Sequence, residues 1–433
     1  GQKLQYASLL VPTMDSTRSM YIIKQNQVNK GPVLITGSQG TAKTSTALMW
    51  ADSFDPAVMG LKFINFSSGT TMIGFQHAIE ESLDKRGGKN FGPPNGKSLT
   101  VFVDDVSMPT INEWGDQPTN EIVRQIVEFN NFAFLDKDKR GDMKVIEDLT
   151  YICAMTHPGG GRNDIPNRLK RHFLLMNLIP PSIEAINDIY GQILNGYFKP
   201  NTDEEFLEAG GVNVDESART VINNLTSMAI ALWNKVRDGL KATPAKFHYV
   251  FTMRDLSRIF QGVLSADMKI INTGGVVVAD EQLDASVVLT RLTRHEAERV
   301  FCDRLTNNKD KDYYRGLFRE TCTEFLGEDL GDAADVEDNY FVDFYREDEV
   351  DEDGEVTSYA PKVYELGGSL ENIRQRALMF MGKYNVVNPA TPLTLVLFDD
   401  ALRHMTRISR IIQMPRGNAL LVGVGGSGKG DGT

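Results

Sequence analysis

Short apolar runs alternate with helix-spaced polar stretches over the first 180 or so residues. Val33-Leu34-Ile35, Phe63-Ile64-Asn65-Phe66, Val101-Phe102-Val103, Tyr151-Ile152-Cys153-Ala154 and Phe173-Leu174-Leu175 read as five strands, with a helix from 44 to about 53 after the first. Short apolar strands separated by helices predict a parallel sheet covered on both faces. The Gly/Pro-rich stretch 84–98, "DKRGGKNFGPPNGKS", predicts a loop or hairpin inserted between them. From about residue 180 the period becomes helical: Leu289, Leu292, Ala297, Val300, Phe301 and Leu305 recur on one face. The expected division is an α/β domain over 1–180, a smaller helical domain over 181–326, a connector over 327–368, and two helices and a strand over 369–433. In the helix expected at about 395–412, Phe398, Leu402, Met405, Ile408 and Ile412 form one apolar stripe, which reads as core.

The net charge of −12 is local in origin. From Glu328 to Glu355 fourteen acidic residues accompany a single Arg346, and the remainder of the chain is close to neutral. That stretch reads as a solvated loop, with docking of a basic partner as the alternative. A near-neutral remainder gives no basic face for nucleic acid. No apolar run approaches the roughly 18 residues of a membrane span. The opening "GQKLQYASLL" has no basic stretch followed by an apolar one, so no secretory signal is read. Cys153, Cys302 and Cys322 lack metal-ligand spacing and suit a reducing compartment.

The first strand runs into Gly37-Ser38-Gln39-Gly40-Thr41-Ala42-Lys43-Thr44-Ser45. This is the Gly-x-x-x-x-Gly-Lys-Thr spacing of a phosphate cradle, with Ala42 in place of the last glycine. Such a loop converges its N–H groups on phosphate at the positive end of a helix. Lys43 is expected to reach the β- and γ-phosphates, and Thr44 to ligate Mg²⁺. Ala42 is expected to be tolerated by having helical geometry. The third strand ends in Asp104-Asp105, an acidic pair suited to holding Mg²⁺ (Asp104) and polarising the attacking water (Asp105). Many such sites carry Glu at the second position; Asp sets its carboxylate back by roughly 1.5 Å. A shift of that order lowers rates about a hundredfold, so binding is expected to survive and turnover to be slow. "LVLFDD" (395–400) mimics this strand but runs into an amphipathic helix, so it is rejected as a metal site.

Thr156 and His157, after the fourth strand, are placed to sense the γ-phosphate, although a lone His beside a Pro-Gly turn can equally be structural. Arg168 and Arg171 lie at the far edge of the α/β block, where a cation can reach a neighbouring subunit. In "FTMRDLSRIF", Arg254 opens a helix and is preferred over Arg258 as a phosphate-facing cation. The chain also repeats itself. "NKGPVLITGSQGTAKT" is echoed by "PRGNALLVGVGGSGKG", where Gly423, Gly428 and Lys429 repeat the cradle pattern 386 residues after Gly37. One module with its linker fills that interval, predicting a tandem array of which this chain carries one unit and the start of the next. The final "GDGT" departs from the usual continuation of such a loop.

"GSQGTAKT", "NFSSGTT", "VFVDDVSMP", "FTMRDLSRIFQGVL" and "MPRGNALLVGVGGSGK" together resemble the AAA+ family, and within it the dynein heavy chains, over essentially the whole chain. The resemblance is to a third AAA+ module followed by the opening of the fourth. "FVDFYRE", "DEDGEV" and "APKVYE" are similar to axonemal, outer-arm chains. It implies an AAA+ P-loop fold, a five-stranded parallel sheet with a helical lid, binding ATP or ADP with Mg²⁺. It also implies a regulatory module in a ring that drives movement along microtubules. Val11, Pro12 and Thr13 match the segment that forms the adenine site, Arg254 the lid arginine, and Arg168 or Arg171 an arginine finger acting on the preceding module. The finger for this chain's own nucleotide would come from the next module. Partners implied are neighbouring modules, other dynein heavy, intermediate and light chains, and microtubules through parts outside this chain. The place implied is cytoplasm and cytoskeleton, in the axoneme of a cilium or flagellum. A competing reading is an independent AAA+ remodelling ATPase.

Overall fold

The computed structural model describes residues 6, 9–135, 137–139, 141–159, 162–198, 215–266, 271, 283–337, 339–346, 348–350, 356–415 and 417–421. These fall into two compact units, Leu9–Ile189 and the remainder from Tyr190 onward with the N-terminal residues.

The first unit is α/β. In chain order it contains α1 (Met14–Val28), β1 (Val33–Gly37), α2 (Lys43–Asp52), β2 (Met59–Asn65), α3 (Met72–Glu80), β3 (Asp84–Gly87), β4 (Asn90–Gly92), β5 (Ser98–Asp104), α4 (Pro118–Phe129), β6 (Asn131–Ala133), β7 (Met143–Ile146), β8 (Leu149–Met155), α5 (Asn167–Lys170) and β9 (Leu174–Leu178). Five strands form one parallel sheet in the order β2-β5-β8-β1-β9. The strict alternation of side chains along each strand divides its core in two. Leu34, Val101, Val103, Cys153 and Met155 face one cluster with Phe75 and Ile79 of α3, Val123 and Ile126 of α4 and Leu169 of α5. Val33, Ile35, Phe102, Ile152 and Ala154 face the other with Ile23 of α1 and Ala47 and Trp50 of α2. β1, β5 and β8 are buried on both faces, which is why they read as unbroken apolar runs.

The 84–98 stretch is a hairpin, and it does not stand alone. β3 and β4 join β7 and β6 in a second sheet of order β3-β4-β7-β6. Gly88 at φ +57 makes its tight reversal.

The second unit is helical: α6 (Ile183–Tyr197), at whose middle the first unit gives way to it, then α7 (Glu216–Gly239), α8 (Met253–Val263), α9 (Ala285–Ala297) running into a π-helical turn (Glu298–Cys302), α10 (Asn308–Leu326) and α11 (Glu328–Ala334). β10 (Phe341–Val342), β11 (Glu349–Val350), β12 (Val356–Ser358) and β13 (Glu365–Leu366) follow, then α12 (Leu370–Val387) and α13 (Asp399–Gln413). Leu289, Leu292, Ala297, Val300, Phe301 and Leu305 are all buried, as their spacing predicts.

Two expectations are corrected here. The acidic stretch is not a solvated loop throughout: α11 opens it, and β10 pairs with β13 and β11 with β12. Burial raises Asp343 above the ordinary carboxylate range, and Arg346, the one cation of the stretch, grips the buried Glu365 by both oxygens at 2.9 and 3.1 Å. The stripe on the last helix is only partly core. Leu402 is fully buried, whereas Phe398 is 61% and Ile412 66% exposed. α13 begins at Asp399, and Leu395–Phe398 precede it rather than form its first turn.

Candidate functional site

β1 is buried along its whole length and delivers the chain to a sharp turn at its C-terminal end. Gly37 has no room for a side chain, because a Cβ there would lie 2.6 Å from both the Leu178 carbonyl oxygen and Thr41 Oγ1. Gly40 (φ +80) and Ala42 (φ +59) both occupy the left-handed region. Ala42 is the N-cap of α2, with ψ 27, so it does not have the right-handed helical geometry expected of it. Its tolerance is paid in strain, on the order of 1–2 kcal/mol for a residue with a Cβ. Among the described residues no protein acceptor takes the N–H groups of Gln39, Gly40 or Ala42. These donors sit at the positive end of α2, the arrangement that suits a phosphate chain.

Lys43 is buried, and its ammonium donates to the carbonyls of Gly37 (3.0 Å) and Ser38 (2.8 Å), lying over the loop it follows. Thr41 Oγ1 donates to the Ser38 carbonyl at 3.0 Å and ties the turn across. The Thr44 hydroxyl donates to Asp104 Oδ2 at 2.7 Å. Residues sixty apart in sequence thus meet between the first turn of α2 and the end of β5. The Asp104 carboxylate also accepts the Asp105 N–H through Oδ1 at 3.0 Å. Asp105 turns the chain at φ +53, a region Asp enters more readily than most residues. Its carboxylate takes no protein donor among the described residues. A hydroxyl and one carboxylate, beside N–H groups that suit phosphate, fit Mg²⁺, which keeps waters and shares phosphate oxygens rather than needing an all-protein cage. Consistently, no cluster of three or more His, Cys, Asp or Glu among the described residues could hold a metal by itself.

β8 lies between β5 and β1, with Met155 opposite Thr36 and Val103 opposite Cys153. Thr156 therefore continues past the sheet edge alongside Gly37. It is buried, and its hydroxyl accepts a hydrogen bond from Arg162. His157 is exposed. Sequence reasoning missed Arg162; the signal was the glycine-rich sequence ahead of it, and Gly159 and Arg162 exchange backbone hydrogen bonds at 3.2 Å. Cys153, deep in the sheet beside this edge, is inert because burial pushes its thiol up to about 12.

The remaining candidates are scattered. Arg168 and Arg171, on α5 and its C-cap, pair with Glu121 and Glu128 of α4 and are more than half exposed. Burial opposes ionisation of Glu121, yet Arg124 and Arg168 together hold it below the usual carboxylate range. Thr13 caps α1: its hydroxyl accepts from Ser16 N (3.2 Å), and its own N–H donates to Ser16 Oγ (2.8 Å). Val11 is half-buried and Pro12 exposed just ahead of it. Arg254 belongs to the helical unit. There a capping box between Thr252 and the buried Asp255 fixes the start of α8 and leaves Arg254 exposed in its first turn. Arg258 is exposed and 3.8 Å from Asp255. Ser45 lies within the first turn of α2. Gly423, Gly428 and Lys429 lie outside the described residues. Asp399 and Asp400, rejected as a metal pair, stand in the first turn of α13 and pair with Arg374 and Arg403.

A glycine-bearing turn between a parallel strand and a helix, followed by lysine and a threonine bonded to an acidic strand end, defines a P-loop nucleotide-binding protein of AAA+ organisation. Three family models match in series: the P-loop containing dynein motor region over residues 1–181, the AAA+ lid domain over 225–337, and the P-loop containing dynein motor region D4 over 393–431. The chain belongs to the dynein heavy-chain family. Dynein axonemal heavy chain 5 of Mus musculus is 42% identical over 98% of this chain and 9% of the relative. Dynein axonemal heavy chain 8 of Homo sapiens is 41% identical over 98% of this chain and 9% of the relative. The Chlamydomonas reinhardtii dynein gamma chain of the flagellar outer arm is 41% identical over 99% of this chain and 9% of its own length. The chain thus spans less than a tenth of these relatives. Among the described residues, no helix is long and apolar enough to cross a membrane.

Proposed function

We propose that this chain is the third AAA+ module of an axonemal, outer-arm-type dynein heavy chain, with the opening of the fourth, and that it is a regulatory nucleotide site gating ATP-driven movement along microtubules. The observation that carries this reading is the 2.7 Å bond between Thr44 and Asp104, immediately after a buried Lys43 at the end of β1. The match of 393–431 to motor region D4, directly downstream, supports the position in the array. The names of the relatives support placement in the axoneme of a cilium or flagellum, among other dynein chains.

In this reading Lys43 and the amides of 39–42 hold the phosphates of ATP or ADP, and Thr44 and Asp104 hold Mg²⁺. The metal, when bound, neutralises phosphate charge. Val11, Pro12 and Thr13 border the base, and Arg254 is the lid cation. Thr156, with His157 beside it, senses the terminal phosphate. Arg168 or Arg171 serves the preceding module in trans; their exposed side chains, paired only at the surface, support that role. Asp105 is the water-polarising acid, short by one methylene, so hydrolysis here is slow. A coupling of about 1–3 kcal/mol between nucleotide state and the neighbouring modules is sufficient for gating.

The test is titration calorimetry with Mg-ATP and Mg-ADP beside a turnover assay. Binding is expected in the wild type and lost in Lys43→Ala, with turnover barely above background in both. Absence of binding would overturn the nucleotide site. Brisk turnover by a monomer, abolished by Lys43→Ala, would overturn the trans-acting finger. ATP-driven assembly into rings of identical copies would favour the independent remodelling ATPase.

A further inference from the structure

The helical unit holds a polar cavity, of about 320 Å³, bounded by α9 with its π-helical turn, α10, the stretch around Val336–Tyr340, and α13. Among the described residues five guanidinium groups line it: Arg294, Arg299, Arg315, Arg403 and Arg407. Three carboxylates, Glu298, Asp335 and Glu337, share the lining. The lining is therefore richer in positive than in negative charge.

The five arginines are not equivalent. Arg294 and Arg299 form the floor and are already committed. Arg294 pairs with Glu298 at 3.0 Å and donates to the Val336 carbonyl at 2.9 Å. Arg299 lies 3.1 Å from Asp303 and 3.5 Å from Glu298, although its Nε, like that of Arg407, is buried without a hydrogen-bond acceptor. The other three are available. Arg315 pairs at 3.3 Å with Asp312, and Arg403 at 3.0 Å with Asp400, both carboxylates well exposed, and Arg403 Nε also donates to Tyr340 OH at 3.3 Å. Such surface pairs contribute about 0–1 kcal/mol and yield easily to a better partner. Arg407 reaches Asp303 through one nitrogen at 3.0 Å, but its Nε is buried with no acceptor. A buried unsatisfied donor costs about 1–3 kcal/mol, which an incoming acceptor would recover. The positive field is felt nearby: burial first, and then Arg299, Arg410 and Arg407, hold the enclosed His295 well below its ordinary value.

We propose that this cavity is an anion site that takes a small phosphate-bearing ligand through Arg315, Arg403 and Arg407. Guanidinium forks match the geometry of phosphate oxygens, and several of them around one dianion bind cooperatively in charge and shape. The volume lies at the small end of ligand pockets, right for one or two phosphoryl groups and little else. Because the site joins α9 and α10 to α13, the helix that leads toward the second glycine cradle, its occupancy would brace that junction. The inference does not rest on nucleotide binding at Gly37–Thr44.

The probe is pyrophosphate, titrated at constant ionic strength against chloride and followed by calorimetry and by hydrogen exchange. Because both glycine cradles also attract phosphate, the full chain is tested in a Lys43→Ala/Lys429→Ala background. The expected result is saturable binding that persists in that background, with slowed exchange confined to 294–315 and 403–407. Arg403→Gln with Arg407→Gln should weaken it at least tenfold. Arg315→Gln, at the exposed rim where only a surface pair with Asp312 is lost, should weaken it several-fold and guards against misfolding of the double variant. Loss of all binding in the Lys43→Ala/Lys429→Ala background, or affinity indifferent to Arg315→Gln, would overturn the proposal.

Discussion

Gly262 is a glycine in the interior of α8, where alanine should be better by roughly 1 kcal/mol. The structure predicts the opposite sign. A Cβ at 262 would overlap the carboxylate of Glu296, reaching its Oε2, Cδ and Cγ atoms. That carboxylate cannot step aside. Glu296 is 0% exposed; its Oε1 accepts from Tyr364 OH at 2.6 Å, and its Oε2 from Arg410 Nε at 2.9 Å. Arg410 is itself almost enclosed, so displacing Glu296 strands a cation and a phenol. Breaking a buried pair in this way costs about 3–5 kcal/mol. Less the propensity gain, Gly262→Ala should destabilise by roughly 2–4 kcal/mol. At roughly 2–4 °C per kcal/mol for a unit of this size, the melting temperature should fall by about 5–15 °C. Urea unfolding followed by far-ultraviolet circular dichroism measures it, and a double-mutant cycle assigns it. With Glu296→Ala already present, Gly262→Ala should become neutral or stabilising. If Gly262→Ala stabilises the unsubstituted chain, or if its effect is the same in both backgrounds, the steric argument is wrong.

Two further outcomes follow from backbone strain and from burial. Ala42→Gly relieves a Cβ in the left-handed region, about 1–2 kcal/mol, against about 0.4–1 kcal/mol of added unfolded-chain entropy. The net should be a gain of up to about 1 kcal/mol in denaturant unfolding, and a clear loss would show that Ala42 is not strained. His295 is held neutral by burial and then by Arg299, while the unfolded histidine takes up a proton below about 6.5. The unfolded state then binds more protons, so stability must fall as pH drops below that value, by about 1 kcal/mol over the first full unit below it. His295→Gln, which can still donate to the Asn339 carbonyl, should flatten the slope between pH 6.5 and 5.5; an unchanged slope would exonerate His295.

β1, β5 and β8 could be read because they are buried on both faces and so carry apolar runs. β2 is the instructive exception. It begins at Met59, whereas the apolar run suggests Phe63, because Gly60 and Lys62 interrupt the apolar residues and no position of the strand is fully buried. The acidic stretch misled for the converse reason. Composition reports how many charges a segment has, not whether one arginine will be folded onto one glutamate, as Arg346 is onto Glu365. The stripe on α13 shows a third limit. Helical spacing identifies a face that can be buried, yet only Leu402 finds full cover while Phe398 and Ile412 do not.

At the site, what could be read was what local order dictates. A strand, a glycine turn and a helix in succession must put Lys43 and Thr44 at the strand's end. The parallel register of β5 and β8 beside β1 must bring Asp104 and Thr156 to the same edge. What could not be read was dihedral and return geometry. Ala42 and Asp105 both turn the chain at positive φ, and neither residue type announces it, since each is common in ordinary helical backbone. Arg162 reaches Thr156 where its backbone pairs with that of Gly159, a return that strand order does not dictate. The two kinds of residue therefore answer to different physics. Those named from spacing, Asp105 among them, stand at the end of the sheet, whereas Arg162, which spacing missed, is placed by the turn that leaves it. The part of the site least visible in sequence is therefore the cation beside Thr156, which depends on where the chain returns and not on strand order.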